Sequence, residues 1–309
     1  MKDGFIKVGV ATNDIVVANP LLNAKSIIKN IKKANEKKVN VLVFPELAIS
    51  GYTCGDLFFQ ETLLNDSLVA LDMIRRNTTR KNMLVVVGMP LRHNGKLYNV
   101  AAFLNKGKIL GFVPKTYIPN HNEYSEARYF AKPSKDIEEV VINNHKYLLG
   151  TNLLFKCLEI NEFVVGAEIC EDLYVPLPPS IHHALNGATI ICNPAASIAY
   201  VGKSKERLAL VKAHSSKIKA GYLYSSSGEG ESTQDVVFSS HNIICENGEV
   251  LNEKYNLKNN LVISEIDVKR IVFERSKTNT FICDEERKYQ YVYFNLKVED
   301  LDLIRSFPT

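Results

Sequence analysis

In the stretch "VVGAEICEDLYVP" (164–176), Cys170 stands between Glu168 on one side and Glu171 and Asp172 on the other. Neighbouring carboxylates raise a thiol pKa, so a nucleophilic cysteine here needs opposing help. Three kinds of group can give it: a cation, free N–H donors at a turn or helix start, and a base that takes the S–H proton. The sequence offers each. Lys115 closes the apolar run "ILGFVPK" (109–115), and Glu46 closes "VNVLVFPE" (39–46). Pro45 and Gly51 fix a turn around Glu46, where burial at the end of an apolar strand would hold its pKa up in the range of a general base. The segment "EDLY" after Cys170 reads as a turn or short helix whose N–H groups, with the Lys115 ammonium, favour a thiolate. Residue 168 shares a sheet face with 170 while 171 follows the strand, so the three acids need not all crowd the sulfur.

These residues need elements that bring them together. Glu46, Lys115 and Cys170 each end a strand-like run, and "ATIICNPAAS" (188–197) runs out into a proline and small residues before a helix over about 203–219. Ligands gather beyond the carboxyl ends of strands in α/β sheets, which makes the three residues candidates for one pocket. "RHNGKLYN", "CENGEV" and "FLNKGKILGF" read as hairpins, so the fold class is α/β with antiparallel pairs, not a simple doubly wound sheet. "KSIIKNIKKANEKK" (25–38) reads as an amphipathic helix, with Ile27, Ile28, Ile31 and Ala34 on one face and lysines on the other.

Composition sets the outer bounds. A chain of 309 residues, 46% hydrophobic, can bury a large core without staples. The start "MKDGFIKVGVATNDIV" has no apolar leader and no run approaches a membrane span, so the expectation is a cytoplasmic protein without a membrane role. The six cysteines are scattered without C-x-x-C pairs, which suggests reduced thiols and no metal site; Cys157, Cys192 and Cys245 read as small buried hydrophobes. A net charge of +4 is too mild for a nucleic-acid partner. His182 and His183, adjacent on a helix, point apart and are expected at the surface rather than on a metal. "GEGEST" (228–233) lacks the lysine of a phosphate loop and reads as a plain loop, and no G-x-S-x-G elbow supports a serine hydrolase. Residues 276–309 mix charge and aromatics without clear periodicity and read as an extension or connector after a first domain of residues 1–275.

The blocks "FPELAISGYTCGDLF" (44–58), "GFVPKTYIPNHNEYSEARYF" (111–130) and "GAEICEDLYVP" (166–176) resemble the three signature regions of the nitrilase, or carbon–nitrogen hydrolase, superfamily. "PNHNEYSEARYF", "GEGESTQDVVFSSHNIICENGEVL" (228–251) and "EIDVKRIVFERSKTNTF" (265–281) further resemble the glutaminase domain of glutamine-dependent NAD synthetases. The resemblance covers about residues 5–281. It implies a four-layer α-β-β-α sandwich and hydrolysis of the glutamine side-chain amide to glutamate and ammonia, without a cofactor. Carried over by motif, Glu46 is the general base, Lys115 the oxyanion cation and Cys170 the nucleophile.

The same resemblance places Tyr52, His121, Glu126, Glu171, Tyr174, Ser197 and Lys203 around the substrate. Glu126 would orient Lys115 or the amide, Glu171 suits the α-ammonium of glutamine, and Lys203 suits its α-carboxylate. The sequence departs from the family at His121, where tyrosine is usual and the pocket wall is altered, and at Ser240, where glycine is usual and a turn is altered. In the family a synthetase domain follows, which uses ATP and magnesium to make NAD from the released ammonia. No S-G-G-x-D-S loop of that domain occurs here, so the implied partners are glutamine, a synthetase domain missing from this chain, and a second copy in a homo-oligomer. The other enzyme reading is a stand-alone amidase, nitrilase or carbamoylase with the same triad.

Overall fold

Successive side chains of a strand face opposite ways, and here both faces of the long strands are apolar. In the strands Val41–Val43, Leu84–His93 and Lys96–Asn105, the side chains of Val41, Val43, Leu84, Val86, Ala101 and Phe103 join one buried cluster, while Leu42, Val85, Val87, Val100, Ala102 and Leu104 join another. A sheet buried on both sides needs a layer on each. A second sheet fills the first cluster, with Phe103 stacked on Phe155 across the gap at 3.6 Å and 9°. The helices Pro20–Glu36 and Glu61–Asn77 cover the other face through Ala24, Ile27, Ile31, Ala34, Ala70, Leu71 and Ile74. The helices Pro179–Leu185 and Lys203–Ile218 pack on the far side of the second sheet. The result is the four-layer α-β-β-α sandwich expected above.

The computed structural model describes residues 1, 3–231, 236–255, 260–282 and 287–305. The first sheet has eight strands in the order Leu261–Asp267, Phe5–Ala11, Val41–Val43, Leu84–His93, Lys96–Asn105, Lys108–Pro114, His145–Leu149, Glu138–Ile142. The second has seven: Glu249–Lys254, Asn242–Glu246, Gly221–Ser226, Ile190–Ala195, Val164–Ala167, Leu153–Cys157, Gln290–Phe294. Both mix parallel and antiparallel pairs. The three hairpins form as read. Each turns through an Asn-Gly or Lys-Gly pair in which both residues have positive φ: Asn94 and Gly95, Lys106 and Gly107, Asn247 and Gly248.

Two boundaries differ from the sequence reading. The first helix begins at Pro20, five residues before the expected 25, because the Asn19 side chain caps it by accepting from Leu22 N at 3.2 Å. The strand before Glu46 is only Val41–Val43, shorter than its apolar run. The chain after residue 275 contains an ordered strand: Gln290–Phe294 pairs in parallel with Leu153–Cys157 and completes the second sheet. Beyond it, Arg305 donates to Glu246 at 2.7 Å and to the Glu265 carbonyl at 2.8 Å. Among the described residues, no helix is long and apolar enough to cross a membrane.

Candidate active site

Four strand ends converge. The strands Val41–Val43 and Lys108–Pro114 run the same way in the first sheet, and Val164–Ala167 and Ile190–Ala195 lie parallel in the second. After Val43 the chain turns through Glu46 and a left-handed Leu47 (φ 51°), and the Glu46 N–H reaches the Ala195 carbonyl of the other sheet at 3.4 Å. This turn lies on Gly88, where a Cβ would come within 2.4 Å of Leu47 N and 2.5 Å of the Pro45 carbonyl, so only glycine fits. After Ala167 the chain reaches Cys170, whose φ of 46° is left-handed, at the start of the helical turn Cys170–Leu173.

Lys115 is the hub of the buried charges. Its Nζ donates at 2.6 Å to Glu46 Oε1 and at 2.6 Å to Glu126 Oε1. Asn99 Nδ2 donates to the same Glu46 oxygen at 2.6 Å, and the Tyr52 hydroxyl donates to Glu126 Oε1 at 2.8 Å. Glu46 Oε2 is buried and has no hydrogen-bond partner among the described residues. Burial raises the Glu46 carboxyl to about 7, with Glu126 adding to the rise and Lys115 and Asn99 opposing it. The lysine stays charged: burial opposes this, but Glu126, Glu46 and Cys170 together hold its pKa well above the ordinary value.

Cys170 is buried, and its thiol is pushed well above the ordinary value, first by burial and then by Glu46 and Glu126. Lys115 and the Ala196 N–H act the other way and are outweighed. The expectation that the lysine and the turn favour a resting thiolate is therefore corrected. Burial disfavours the charged sulfur, and the Glu46 and Glu126 carboxylates paired with Lys115 oppose its help. The acids flanking Cys170 in sequence have other partners. Asp172 accepts from Ile169 N at 2.9 Å, Thr116 N at 3.2 Å and Tyr117 N at 2.8 Å, which ties the loop after Lys115 to the turn that carries Cys170. Glu168 accepts from the Tyr222 hydroxyl at 2.5 Å and from Ser180 N at 2.9 Å.

The remaining predicted residues form an outer group. His121 Nε2 lies 3.3 Å from Glu171 Oε1, and Lys203 sits over the Tyr174 ring at 4.7 Å while pairing with Glu206 at 3.1 Å. The Tyr174 hydroxyl and Ser197 Oγ are 3.5 Å apart. Thus Glu46, Lys115, Glu126 and Tyr52 share direct hydrogen bonds, Cys170 lies within their electrostatic reach, and the other five form local contacts at the same end of the sandwich. A cavity of about 180 Å³ adjoins Tyr52 and Glu126 and is walled by Phe58, Tyr129, Phe130 and Val236.

Several residues escaped sequence reasoning. Arg207 is fully buried and donates to Ser197 Oγ and the Ile198 carbonyl, both at 2.9 Å. Its signal was an arginine on the buried stripe of its helix, in step with Val211, His214, Ser215 and Ile218. Asn99 and Asn193 were legible as lone amides inside apolar strands. Glu231 anchors the Tyr52 loop, accepting from Tyr52 N at 2.8 Å and from the Thr53 hydroxyl at 2.7 Å.

His182 and His183 are buried, against the surface expectation. His183 bonds Tyr289 OH at 2.8 Å and the Ala167 carbonyl at 3.0 Å, and burial lowers it to about 4, so it is neutral. The helix that carries them lies against the second sheet rather than at its rim. Ser240 has a φ of 49°, a conformation that glycine adopts without strain. Ser232 and Thr233 of the "GEST" string, and Cys283, lie outside the described residues.

The family model for carbon-nitrogen hydrolases matches residues 7–274. The chain is 34% identical over 291 residues to the glutamine-dependent NAD(+) synthetase of Mycobacterium tuberculosis, covering 93% of this chain and 42% of that protein. The corresponding Thermotoga maritima protein is 29% identical over 251 residues, 80% of this chain and 39% of its own length. Among solved structures, the glutamine-dependent NAD(+) synthetase of Cytophaga hutchinsonii superposes with a TM-score of 0.76 at 27% identity, over 85% of this chain and 43% of that one. An amidase of the nitrilase superfamily from Nesterenkonia shares the fold, with a TM-score of 0.68 at 16% identity, over 88% of this chain and 95% of its own. The chain spans about two-fifths of the length of the curated relatives.

Proposed function

The chain belongs to the carbon-nitrogen hydrolase family, and on that premise we propose that it hydrolyses the side-chain amide of glutamine to glutamate and ammonia through a thioester on Cys170, supplying ammonia for NAD synthesis. The observation that carries this reading is the Lys115 ammonium held at 2.6 Å from both Glu46 and Glu126, with the Cys170 thiol in their field. The identity to glutamine-dependent NAD synthetases over 93% of the chain supports glutamine as the substrate.

Each step has a group suited to it. Glu46 Oε2, buried without a partner among the described residues, takes the S–H proton as the sulfur attacks the amide carbon. An ammonium has three N–H donors. Two of those on Lys115 go to Glu46 and Glu126, and the third, with the Glu171 backbone N–H, stabilises the oxyanion. Collapse of the tetrahedral adduct breaks the C–N bond, and the protonated Glu46 returns its proton to the departing nitrogen, giving ammonia. Water then enters and attacks the thioester carbon as Glu46 takes its proton; the C–S bond breaks, and Glu46 returns that proton to the departing sulfur, leaving glutamate, the free thiol and the ionised base. No cofactor is required. Glu171 and Lys203 are proposed to hold the amino-acid head, and ATP and magnesium belong to the synthetase domain of the longer relatives, the proposed recipient of the ammonia.

The test measures ammonia release from glutamine, asparagine, simple aliphatic amides and nitriles by the wild type and by Cys170→Ala. Glutamine is expected to lead the panel, and the variant to retain its fold without activity. A preference for a simple amide or a nitrile would replace the glutaminase reading with that of a general amidase or nitrilase. Undiminished glutamine hydrolysis by Cys170→Ala would overturn the nucleophile.

A further inference from the structure

Behind Cys170 runs a line of buried hydrogen bonds that the chemistry above leaves unused. The Cys170 N–H donates to Asn193 Oδ1 at 2.9 Å, Asn193 Nδ2 donates to the Tyr222 hydroxyl oxygen at 2.8 Å, and that hydroxyl donates to Glu168 Oε1 at 2.5 Å. The other carboxylate oxygen, Glu168 Oε2, accepts from Ser180 N at 2.9 Å. Cys170, Asn193, Tyr222 and Glu168 are each at most 5% exposed.

We propose that Glu168, Tyr222 and Asn193 are positioning residues: a directional relay that holds the backbone of Cys170 in its left-handed conformation and so aims the sulfur at the amide carbon. The direction follows from the inventory of donors and acceptors. The Tyr222 hydroxyl donates its single O–H to Glu168 Oε1. Its oxygen then accepts from the Asn193 amide nitrogen, which leaves Asn193 Oδ1 as the face turned to the Cys170 N–H. Reversing the amide would set an NH₂ group against that N–H. The relay thus selects one of two otherwise equivalent amide orientations.

The need for such a device is local. A non-glycine residue at φ 46° is sterically disfavoured and persists only when its surroundings over-determine it. Asp172 fixes the peptide on the N-terminal side through Ile169 N, and Asn193 fixes Cys170 itself. Asn193 lies in the neighbouring parallel strand Ile190–Ala195, and Tyr222 in the next, Gly221–Ser226, with Ile191 opposite Tyr222 in register. The relay therefore references the nucleophile to two neighbouring strands and to Glu168, the residue that follows a third, Val164–Ala167.

This inference rests on Cys170 as nucleophile, and the experiment separates the two. Tyr222→Phe removes one oxygen and keeps the ring. We measure kcat and KM for glutamine, the rate at which iodoacetamide alkylates Cys170, and the melting temperature. The expected result is a fall of about tenfold in kcat, the worth of one ordinary hydrogen bond. The alkylation rate should fall with it, while KM stays within about twofold because the substrate contacts are untouched. If Tyr222→Phe does not fold, Glu168→Gln carries the same readouts and expectations, since its single acceptor oxygen cannot serve both Tyr222 and Ser180. A variant with wild-type kcat and alkylation rate, whatever its melting temperature, would overturn the relay. Failure of the nucleophile assignment appears separately, as glutamine hydrolysis that survives Cys170→Ala.

Discussion

Lys115 Nζ lies 2.6 Å from Glu46 Oε1, with both side chains wholly withdrawn from solvent. Together with Glu126 they make a buried cluster of two carboxylates and one cation, which is stable only while the cation is present. Removing one partner of a buried ion pair strands the other, typically at a cost of about 3–5 kcal/mol.

Lys115→Gln is therefore expected to act twice. It removes an oxyanion donor, with a loss in kcat on the order of 10²–10³-fold or more. It also leaves two buried carboxylates without their cation, which lowers the melting temperature. Steady-state kinetics and thermal unfolding measure the two effects independently. A variant with near-wild-type kcat would remove Lys115 from the chemistry.

Glu46 gives opposite pH trends for activity and stability. As a base it must be ionised, and with its carboxyl raised to about 7 by burial, kcat/KM should decline as pH falls through that value. For stability the sign reverses. A carboxyl whose pKa is higher folded than unfolded holds its proton more tightly in the folded state between about 4.5 and about 7, so stability falls as pH rises through that window. Glu46→Gln cannot ionise. Its melting temperature relative to wild type should rise between about pH 5 and pH 8, and a flat difference across that range would contradict the raised value.

The outer charges bear on specificity. Glu171→Ala and Lys203→Ala should each weaken glutamine relative to a simple aliphatic amide, because only glutamine carries an α-ammonium and an α-carboxylate. Lys203 already pairs with Glu206 at 3.1 Å, so its variant is expected to show the smaller change. The ratio of kcat/KM for the two substrates is the measure. If both variants leave it unchanged, neither residue reads the amino-acid head.

Much of the site was legible because its residues end apolar runs. Apolar runs marked the buried strands, and a run that closes on Glu46, Lys115 or Cys170 places that residue just beyond the end of its strand, at the same end of the sandwich. The Asn-Gly and Lys-Gly turns fixed the hairpins, since their positive φ is a local property. The motif blocks supplied the four-layer architecture and the proposed catalytic roles, which periodicity alone could not. What local sequence could not convey was which groups neutralise which. Lys115 beside Cys170 suggests a thiolate, yet the lysine is divided between Glu46 and Glu126, residues 69 and 11 positions away, and the thiol is raised instead. Likewise Asp172 and Glu168 flank the cysteine in sequence but are taken up by the backbone at Thr116 and Tyr117 and by Tyr222. Propensity and pattern are properties of neighbours along the chain. Burial, electrostatic screening and hydrogen-bond pairing depend on neighbours in space, so the protonation state of the site was decided only when the two sheets closed on each other.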